Sequence, residues 1–261
     1  MIKAKKSLGQ NFLIDKEIIK KIVDLIDLKN KTVLEVGPGT GNLTFQILNK
    51  NPKKLLVIEK DNQLANKLNI KFKNQLEIMN RDILDIDETS LFDDDVIVFG
   101  NLPYNISTEI LCKWIINLKD KFWFTNLILM FQKEVADRII AKTNTAEYGR
   151  LSIISNWKLN IKKICDINPE SFLPKPKINS TLLFFSPKKN FYKIKNSKNL
   201  ELVTRTFFNH RRKMLKKPYN LLFNGNQKIL KKLKLDLNLR PQNLDFDTYY
   251  QLAIEYENLR S

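Results

Sequence analysis

The residues best suited to chemistry stand in short runs that follow β-rich segments. The segment 33–36, Val-Leu-Glu-Val, leads into the turn 37–41, Gly-Pro-Gly-Thr-Gly, and the missing Cβ atoms of such a turn let the backbone approach a flat nucleoside closely. The turn is not the dinucleotide fingerprint, because Asn42 stands where a third glycine is needed, and it is not a P-loop, because no Gly-Lys-Ser/Thr follows. Without a phosphate cradle, we expect a nucleoside that lacks pyrophosphate.

Two carboxylates fall where such a nucleoside needs hydrogen-bond acceptors. Glu59 closes the second predicted strand, about 20 residues after the turn, where a carboxylate can accept both ribose hydroxyls. Asp82 closes the third predicted strand and could accept from an adenine amino group. Because open α/β sheets bind ligands at the carboxyl ends of their strands, the turn and both carboxylates predict one nucleoside site. The alternative is a tight β–α turn with two solvated carboxylates.

A second pattern, Asn101-Leu102-Pro103-Tyr104, follows the fourth predicted strand. Pro103 favours extended geometry at Leu102 and ends the strand, which can turn the Leu102 carbonyl into the cleft. Two acceptors on the N–H bonds of an exocyclic amine favour a pyramidal, nucleophilic nitrogen, and Tyr104 can stack on the base. The pattern therefore predicts in-line attack on a sulfonium methyl group, with positioning supplying much of the rate. The alternative is a Pro-terminated strand with a satisfied Asn and a core Tyr.

These runs require a scaffold, and the sequence before Pro187 predicts an α/β fold. Short β-rich runs alternate with amphipathic helical segments, which indicates a mostly parallel, Rossmann-like sheet with helices on both faces. The predicted strands are 32–36, 54–59, 76–81, 96–99, 126–130 and 181–185, and predicted helices include 15–26 and 132–141. After Pro187 only helices are predicted, at 200–222, 227–235 and 245–258. We therefore predict two domains, 1–187 and a small all-helical domain, 188–261.

Charge and composition narrow the classes of partner. The 261 residues carry 45 Lys and Arg against 28 Asp and Glu, a net charge of +17, which predicts a polyanionic partner. Residues 181–261 alone hold 17 basic and 6 acidic side chains, so most of the excess lies in the helical tail. Two cysteines and one histidine argue against a disulfide framework or a metal site. No apolar run approaches the ~18 residues of a membrane span, and we expect a cytoplasmic protein that binds no membrane.

Together the motifs resemble the ribosomal RNA adenine N6,N6-dimethyltransferases, a family of S-adenosylmethionine-dependent enzymes, nearly from end to end. The matching runs are SLGQNFL at 7–13, GPGTG at 37–41, NLPYNIST at 101–108 and FLPKPKINS at 172–180. Ile178 replaces the more common Val. The resemblance implies cofactor contacts from Asn11, Leu13, Gly37, Gly39, Glu59, Asp82 and Asn101. It also implies a catalytic loop of Asn101, Leu102, Pro103 and Tyr104, with Phe172 facing Tyr104 across the target base.

The first and last of these motifs, 7–13 and 172–180, also have purely structural interpretations. The run that begins at Phe172 could be a rigid loop that feeds the last strand. Asn11 and Leu13 could cap and anchor the first helix. In combination, however, the four motifs are highly specific for the family.

The tail contains a basic run of five cations in seven positions, Arg211, Arg212, Lys213, Lys216 and Lys217. One interpretation is a solvated helix face. The other, favoured by the resemblance, is a helix that grips the phosphates of folded RNA and sets register without reading sequence.

The resemblance implies methylation of N6 on two adjacent adenosines near the 3′ end of small-subunit (16S) rRNA, on a 30S precursor, by a monomer. The target base must be flipped out or unpaired, because a stacked nitrogen cannot be reached. Two alternatives are a large-subunit rRNA adenine methyltransferase of the macrolide-resistance type and a non-catalytic nucleic-acid-binding transcription factor on the same fold. The intact 37–41 turn, Glu59 and Asn101 favour catalysis. The continuation at 105–108 and the basic run favour the small-subunit enzyme.

Overall fold

The computed structural model describes residues 4–5, 8–92, 96–118 and 121–260, so Ser7 of the N-terminal motif and Asp95 lie outside the described residues. The chain forms two compact units. The first comprises the described residues of Met1–Lys113, Leu118–Ala136 and Ile161–Pro187, and the second those of Trp114–Asn117, Asp137–Asn160 and Lys188–Ser261. Residues 114–117 and 137–160, placed by the sequence analysis in the first domain, group with the C-terminal residues in this division.

Strands and helices alternate along most of the chain. The strands are β1 (Phe12–Leu13), β2 (Thr32–Val36), β3 (Lys54–Ile58), β4 (Glu77–Met79), β5 (Val96–Gly100), β6 (Phe124–Gln132), β7 (Leu159–Ile167), β8 (Phe172–Leu173) and β9 (Ser180–Pro187). The helices are α1 (Lys16–Val23), α2 (Asn42–Leu48), α3 (Asn62–Phe72), α4 (Ser107–Asn117), α5 (Lys133–Ile139), α6 (Arg150–Lys158), α7 (Ser197–Phe208), α8 (Lys216–Phe223), α9 (Gln227–Lys232) and α10 (Phe246–Asn258). None of the helices in the described ranges is both long and apolar enough to cross a membrane.

One seven-stranded sheet has the order β4-β3-β2-β5-β6-β9-β7. The pairs from β4 to β6 are parallel, and β9 is antiparallel to β6. Val36 is in register with Ile58 and Gly100, so three strands end at the same edge of the sheet. The predicted α/β class with a mostly parallel sheet is confirmed. A second, two-stranded sheet pairs β1 with β8, with Leu13 opposite Phe172.

The central strands of the first unit are mostly apolar because they are covered on both faces. All five residues of β2 and of β5 are buried. Helix α1 packs Ile19, Ile22 and Val23 into the same core cluster, and Asp15 caps the helix by accepting hydrogen bonds from two first-turn amides. The core therefore holds the strand ends in fixed relative positions.

Strand β7 is absent from the sequence predictions. Its sequence, LNIKKICDI, has two adjacent lysines at its centre and only two buried residues, one at each end. It lies at the end of the strand order, where charged side chains are tolerated and the alternation that predicts a strand is weak.

The second unit has an aromatic core with satisfied hydroxyl groups. Tyr148 and Tyr249 are fully buried, and their hydroxyls donate to the carbonyls of Leu244 and Pro241 at 2.8 and 2.7 Å. Phe207 packs edge-on against Tyr249, with ring centroids 5.9 Å apart. Because each hydroxyl keeps a hydrogen bond, burying these phenols costs little free energy.

The predicted single helix 200–222 is wrong, because α7 ends at Phe208 and α8 begins at Lys216. The intervening chain forms turns, in which His210 N–H donates to Phe207 O at 3.1 Å and Lys213 N–H to His210 O at 2.8 Å. The amide of Leu215 instead bonds the carbonyl of Leu239 at 2.9 Å.

Candidate active site

The glycine turn after β2 adopts a backbone conformation that favours glycine. Gly37, Gly39 and Gly41 have φ values of 69°, 58° and 76°, in the left-handed region where a Cβ is strained. A Cβ on Gly39 would also lie 2.7 Å from Cδ1 of Phe12. The amide of Gly37 donates to the carbonyl of Ile58 at 2.9 Å. The turn is thus fastened to the end of β3 and packed against β1.

A cavity of about 210 Å³ lies at the carboxyl ends of the parallel strands. The residues that follow β2, β3, β4 and β5 supply its walls, together with the segment 8–13. This is the edge at which open α/β sheets bind their ligands. The predicted site residues that line it are Asn11, Leu13, Gly37, Gly39, Glu59, Asp82, Asn101, Leu102, Pro103 and Tyr104.

Glu59 presents a carboxylate that is already partly satisfied by the backbone. Its Oε1 accepts from the amide of Asp61 at 2.8 Å, and its Oε2 accepts from the amide of Gly39 at 3.2 Å. Burial raises the pKa of Glu59, and the two amide donors offset part of that rise. Each oxygen keeps a further lone pair, so the carboxylate can still accept from a pair of hydroxyls.

Asp82 lies in the part of the cavity wall that follows β4, and it keeps its charge. Its Oδ1 accepts from the amide of Leu84 at 3.0 Å, and its Oδ2 is ion-paired with Lys60. Burial raises the pKa of Asp82, but the bond from Lys60 and the Leu84 amide outweigh it, and the net pKa is lowered. Asp82 is therefore an ionised acceptor over the whole neutral range.

Asn101 connects the loop 101–104, the proposed reactive loop, to the N-terminal segment 8–13. Its Nδ2 donates to the carbonyl of Asn11 at 2.7 Å. The Nδ2 of Asn42 similarly donates to the carbonyl of Leu13 at 2.9 Å. With its nitrogen held in this way, the side-chain amide of Asn101 has its oxygen as the acceptor for a ligand.

Tyr104 lines the cavity, and its hydroxyl is hydrogen-bonded to Oγ of Ser180. Ser180 is fully buried at the start of β9 and lies opposite Gln132 of β6. Burial raises the pKa of Tyr104, although the bond with Ser180 opposes the rise. The phenol is therefore neutral and its outer end is anchored.

Phe172 lies elsewhere than the sequence analysis expects. Its side chain is 2 % exposed and belongs to the apolar core cluster. The described residues that line the cavity include Tyr104 but not Phe172. The reason is the pairing of β8 with β1, which places Phe172 opposite the buried Leu13. In this structure the two rings do not share the cavity.

The basic run of the second unit separates into two kinds of side chain. The guanidinium of Arg211 donates to the carbonyls of Tyr148 at 2.6 Å and Ala146 at 2.5 Å, so it holds the loop before α6. The other four cations are exposed, and they are Arg212, Lys213, Lys216 and Lys217. The expectation that all five lie on one helix is wrong, because 211–213 lie in the turns between α7 and α8.

Glu35 is a cavity-lining residue that the sequence analysis does not single out. It is 1 % exposed, and its Oε2 has no hydrogen-bond partner among the described residues. Burial raises the pKa of Glu35 to about 8, and the nearby charge of Glu59 adds to the rise. A carboxylate in the middle of an otherwise apolar strand is the sequence signal that identifies it.

Two N-terminal residues bind the same carboxylate, a contact that sequence alone does not reveal. Lys5 Nζ lies 2.9 Å from Oδ2 of Asp61, and Nε2 of Gln10 donates to the same oxygen at 3.1 Å. Asp61 in turn donates its amide to Glu59. The N-terminal segment is thus connected to Asp61, whose amide bonds Glu59.

Among the described residues, no group of three or more His, Cys, Asp or Glu side chains could hold a metal ion. The cavity instead offers amide and carboxylate oxygens, an aromatic ring and exposed backbone, which suit an uncharged nucleoside and a planar amine.

Comparisons with known proteins give a consistent result. The model of the ribosomal RNA adenine dimethylase family matches residues 1–258. A ribosomal RNA small subunit methyltransferase A of Pelagibacter ubique is 61% identical over 99% of both chains, and one of a Wolbachia species is 44% identical over 99% of this chain and 96% of its own. The crystal structure of a dimethyladenosine transferase from Plasmodium falciparum superposes with a TM-score of 0.78 at 26% identity, covering 95% of this chain and 98% of that one.

Proposed function

Because the chain belongs to the ribosomal RNA adenine dimethylase family, we propose that it transfers methyl groups from S-adenosylmethionine to N6 of two adjacent adenosines near the 3′ end of 16S rRNA. The product is N6,N6-dimethyladenosine, and the substrate is a precursor of the 30S subunit. One observation carries the proposal: Asn101 and Tyr104 line the same cavity as Glu59 and Asp82. The residues proposed to bind the nucleoside and those proposed to bind the amine therefore line one cavity.

The residues around the cavity fit S-adenosylmethionine, which supplies an electrophilic methyl group on a sulfonium when it is bound. Glu59 would accept the ribose hydroxyls and Asp82 the adenine amine. Gly37 and Gly39 would hold the backbone of the turn close to the methionine portion, since both have positive φ values and a Cβ on Gly39 would strike Phe12. Asn11 and Leu13 would cover the site through the segment that Asn101 and Asn42 hold.

Asn101 has the central role at the acceptor nitrogen. The Nδ2 bond to Asn11 directs Oδ1 as an acceptor for one N–H of the target amine, and the carbonyl of Leu102 is the proposed second acceptor. Drawing on both N–H bonds localises the nitrogen lone pair for in-line attack on the methyl group. The methylated nitrogen then releases its proton to solvent, so no strong general base is needed. Pro103 holds the turn that makes this geometry.

Tyr104 is the proposed stacking residue for the unpaired target base. Phe172 is the proposed second face of the sandwich. Because its ring is buried in the core here, stacking by Phe172 requires the ring to leave the core when the base enters. Tyr104 needs no such movement, since it already lines the cavity.

The exposed cations Arg212, Lys213, Lys216 and Lys217 are proposed to contact RNA phosphates. They concentrate charge on one short stretch, with Arg212 and Lys213 before α8 and Lys216 and Lys217 in its first turn, and phosphate contacts set register without reading sequence. Arg211 contributes by holding the loop at 145–148 through its three carbonyl acceptors. We further propose a monomer that acts in the cytoplasm, where a 30S precursor is available, and gel filtration tests the monomer.

Transfer of radiolabelled methyl groups from S-adenosylmethionine to small subunits that lack the modification tests the function. The expected result is label in dimethyladenosine after digestion of the RNA to nucleosides, at up to four methyl groups per subunit. Large subunits serve as the matched control. Label confined to large-subunit RNA would instead identify the macrolide-resistance type of activity. No transfer, with RNA binding intact, would identify a non-catalytic binder.

A further inference from the structure

Lys113 of α4 is a cation with an unusual set of partners. Its Nζ donates to the carbonyl of Ile83 at 2.8 Å, to the carbonyl of Ile86, and to Oε1 of Glu88 at 2.9 Å. An ammonium group has three donors, and all three are used. The side chain is only 18 % exposed, so these bonds are shielded from water and from salt.

The partners of Lys113 lie in the segment that follows Asp82. This segment has two short 3₁₀ turns, Ile83–Asp85 and Glu88–Ser90, closed by local backbone bonds such as Asp85 N–H to Asp82 O at 3.1 Å. Asp82, Ile83 and Leu84 line the cavity. Lys113 therefore bonds the backbone of the proposed adenine-side wall at two points. Its charge also supports the lowered pKa of Asp82, after the larger effect of Lys60.

The N-terminal end of α4 is bonded to the reactive loop. Helix α4 begins directly after this loop, where Ile106 N–H donates to Pro103 O at 3.1 Å and Ser107 Oγ to Tyr104 O at 3.3 Å. Two turns later the same helix carries Lys113. The lysine thus connects the element that follows Asn101-Leu102-Pro103-Tyr104 with the opposite wall of the cavity.

We infer that Lys113 is a positioning residue that holds the carbonyls of Ile83 and Ile86 and thereby sets the affinity of the cofactor site. It acts on the wall that receives the adenine, and it does not touch the methyl group or the target amine. The inference rests on the proposed cofactor site. It predicts a change in cofactor binding with little change in the rate of transfer at saturation.

The test is Lys113→Met, which keeps the apolar stem and removes the three donors. The expected result is an increase of about tenfold in the Kd of S-adenosylhomocysteine by calorimetry and in the KM of S-adenosylmethionine. The kcat at saturating cofactor should stay within about twofold, as should the KM of the RNA. Amide hydrogen exchange should become faster at 83–88 and stay unchanged in the glycine turn. A purely structural role would lower the melting temperature without this split between KM and kcat.

Lys50→Met is the matched control, because Lys50 forms an exposed ion pair with Asp24 away from the cavity; its Kd should equal that of the parent protein. If Lys113→Met does not fold, Lys113→Gln, which keeps a shorter donor, replaces it with the same expected direction. A folded Lys113 variant with the parent Kd overturns the inference. Failure of the parent protein itself to bind S-adenosylhomocysteine would instead overturn the proposed function.

Discussion

The hydroxyl of Tyr104 is hydrogen-bonded to the buried hydroxyl of Ser180. The bond joins the reactive loop to the first residue of β9, which the sheet holds opposite Gln132. The two motifs that surround the proposed target base are therefore in contact through Ser180 even though the ring of Phe172 is buried in the core. The orientation of the Tyr104 ring depends on the sheet as well as on its own loop.

Ser180→Ala should lower kcat of methyl transfer about threefold to tenfold, because the Tyr104 ring gains freedom and loses part of its stacking geometry. Tyr104→Phe should give a similar loss, and the double variant should be no worse than either single one. Tyr104→Ala should cause a larger loss, since about 1–3 kcal/mol of stacking disappears. Initial rates with saturating S-adenosylmethionine measure all four. A Tyr104→Ala enzyme with full activity would contradict the stacking role.

Asn101→Ala should lower kcat by about 10²-fold or more, because one acceptor on the target amine is lost. Asn101→Asp is the informative companion. It keeps an oxygen but loses the Nδ2–H that donates to Asn11, so it should also be impaired. Single-turnover rates separate this loss from RNA binding. Full activity of Asn101→Asp would mean that the bond to Asn11 does not orient the side chain.

The observed burial of Phe172 in the core and its proposed stacking on the base can be separated by two variants. Phe172→Ala should destabilise the protein by about 3–5 kcal/mol if the buried ring acts as core. Phe172→Leu should retain most of the stability and yet lose activity if the ring moves out to stack on the base. Urea unfolding and initial rates on the same samples provide the comparison. A stable Phe172→Leu enzyme with the parent rate would remove Phe172 from the sandwich.

The buried carboxyl of Glu35 should make stability depend on pH. Its pKa is raised to about 8 in the folded chain, so between about pH 4.5 and 8 the folded state retains a proton that the unfolded state releases. The stabilisation is complete below this window and is lost as pH rises through it, by about tenfold in the unfolding constant per pH unit. Urea midpoints from pH 5 to 8 should therefore fall more steeply for the parent than for Glu35→Gln. Parallel curves would contradict the assignment.

The basic run should control salt dependence and not catalysis. Each Gln substitution of Arg212, Lys213, Lys216 or Lys217 should reduce the slope of log affinity against log salt by about 0.7–0.9. Arg211→Gln is the control, because the guanidinium of Arg211 already bonds backbone carbonyls. This variant should lower the melting temperature and change the slope little. Filter binding to small-subunit RNA at several salt concentrations provides the slopes. Unchanged slopes in all four variants would place the RNA elsewhere.

Local sequence patterns predict the parts of the site that follow strand ends. The glycine turn, Glu59 and Asn101 each come directly after a buried strand, Asp82 follows the short strand β4, and all line one cavity. Parallel strands bring their carboxyl ends to the same edge whatever lies between them. The α/β class and the approximate strands are predictable for the same reason.

The parts that sequence does not reveal depend on contacts between distant residues. Lys113 looks like any helical lysine, because its acceptors lie 25 to 30 residues earlier in the chain. The burial of Phe172 follows from the pairing of β8 with β1, two strands of two residues each. The break at 209–215 depends on Leu239 and on the carbonyls that Arg211 bonds, neither of which is a local signal.

The pairing of β1 with β8 has a consequence for synthesis on the ribosome. Ser171 Oγ donates to Oδ2 of Asp15, 156 residues earlier, and Ile14 N–H donates to the carbonyl of Ser171 at 2.8 Å. Strand β1 therefore waits for its partner β8 during synthesis of the 156 residues from Asp15 to Ser171, about eight to thirty seconds at 5–20 residues per second. During that interval the nascent chain can assemble β2 to β5 and the bonds from Asn42 and Asn101 to the N-terminal segment, but β1 still lacks the strand with which it pairs. The pairing that completes the two-stranded sheet is thus a late event in the synthesis of this protein.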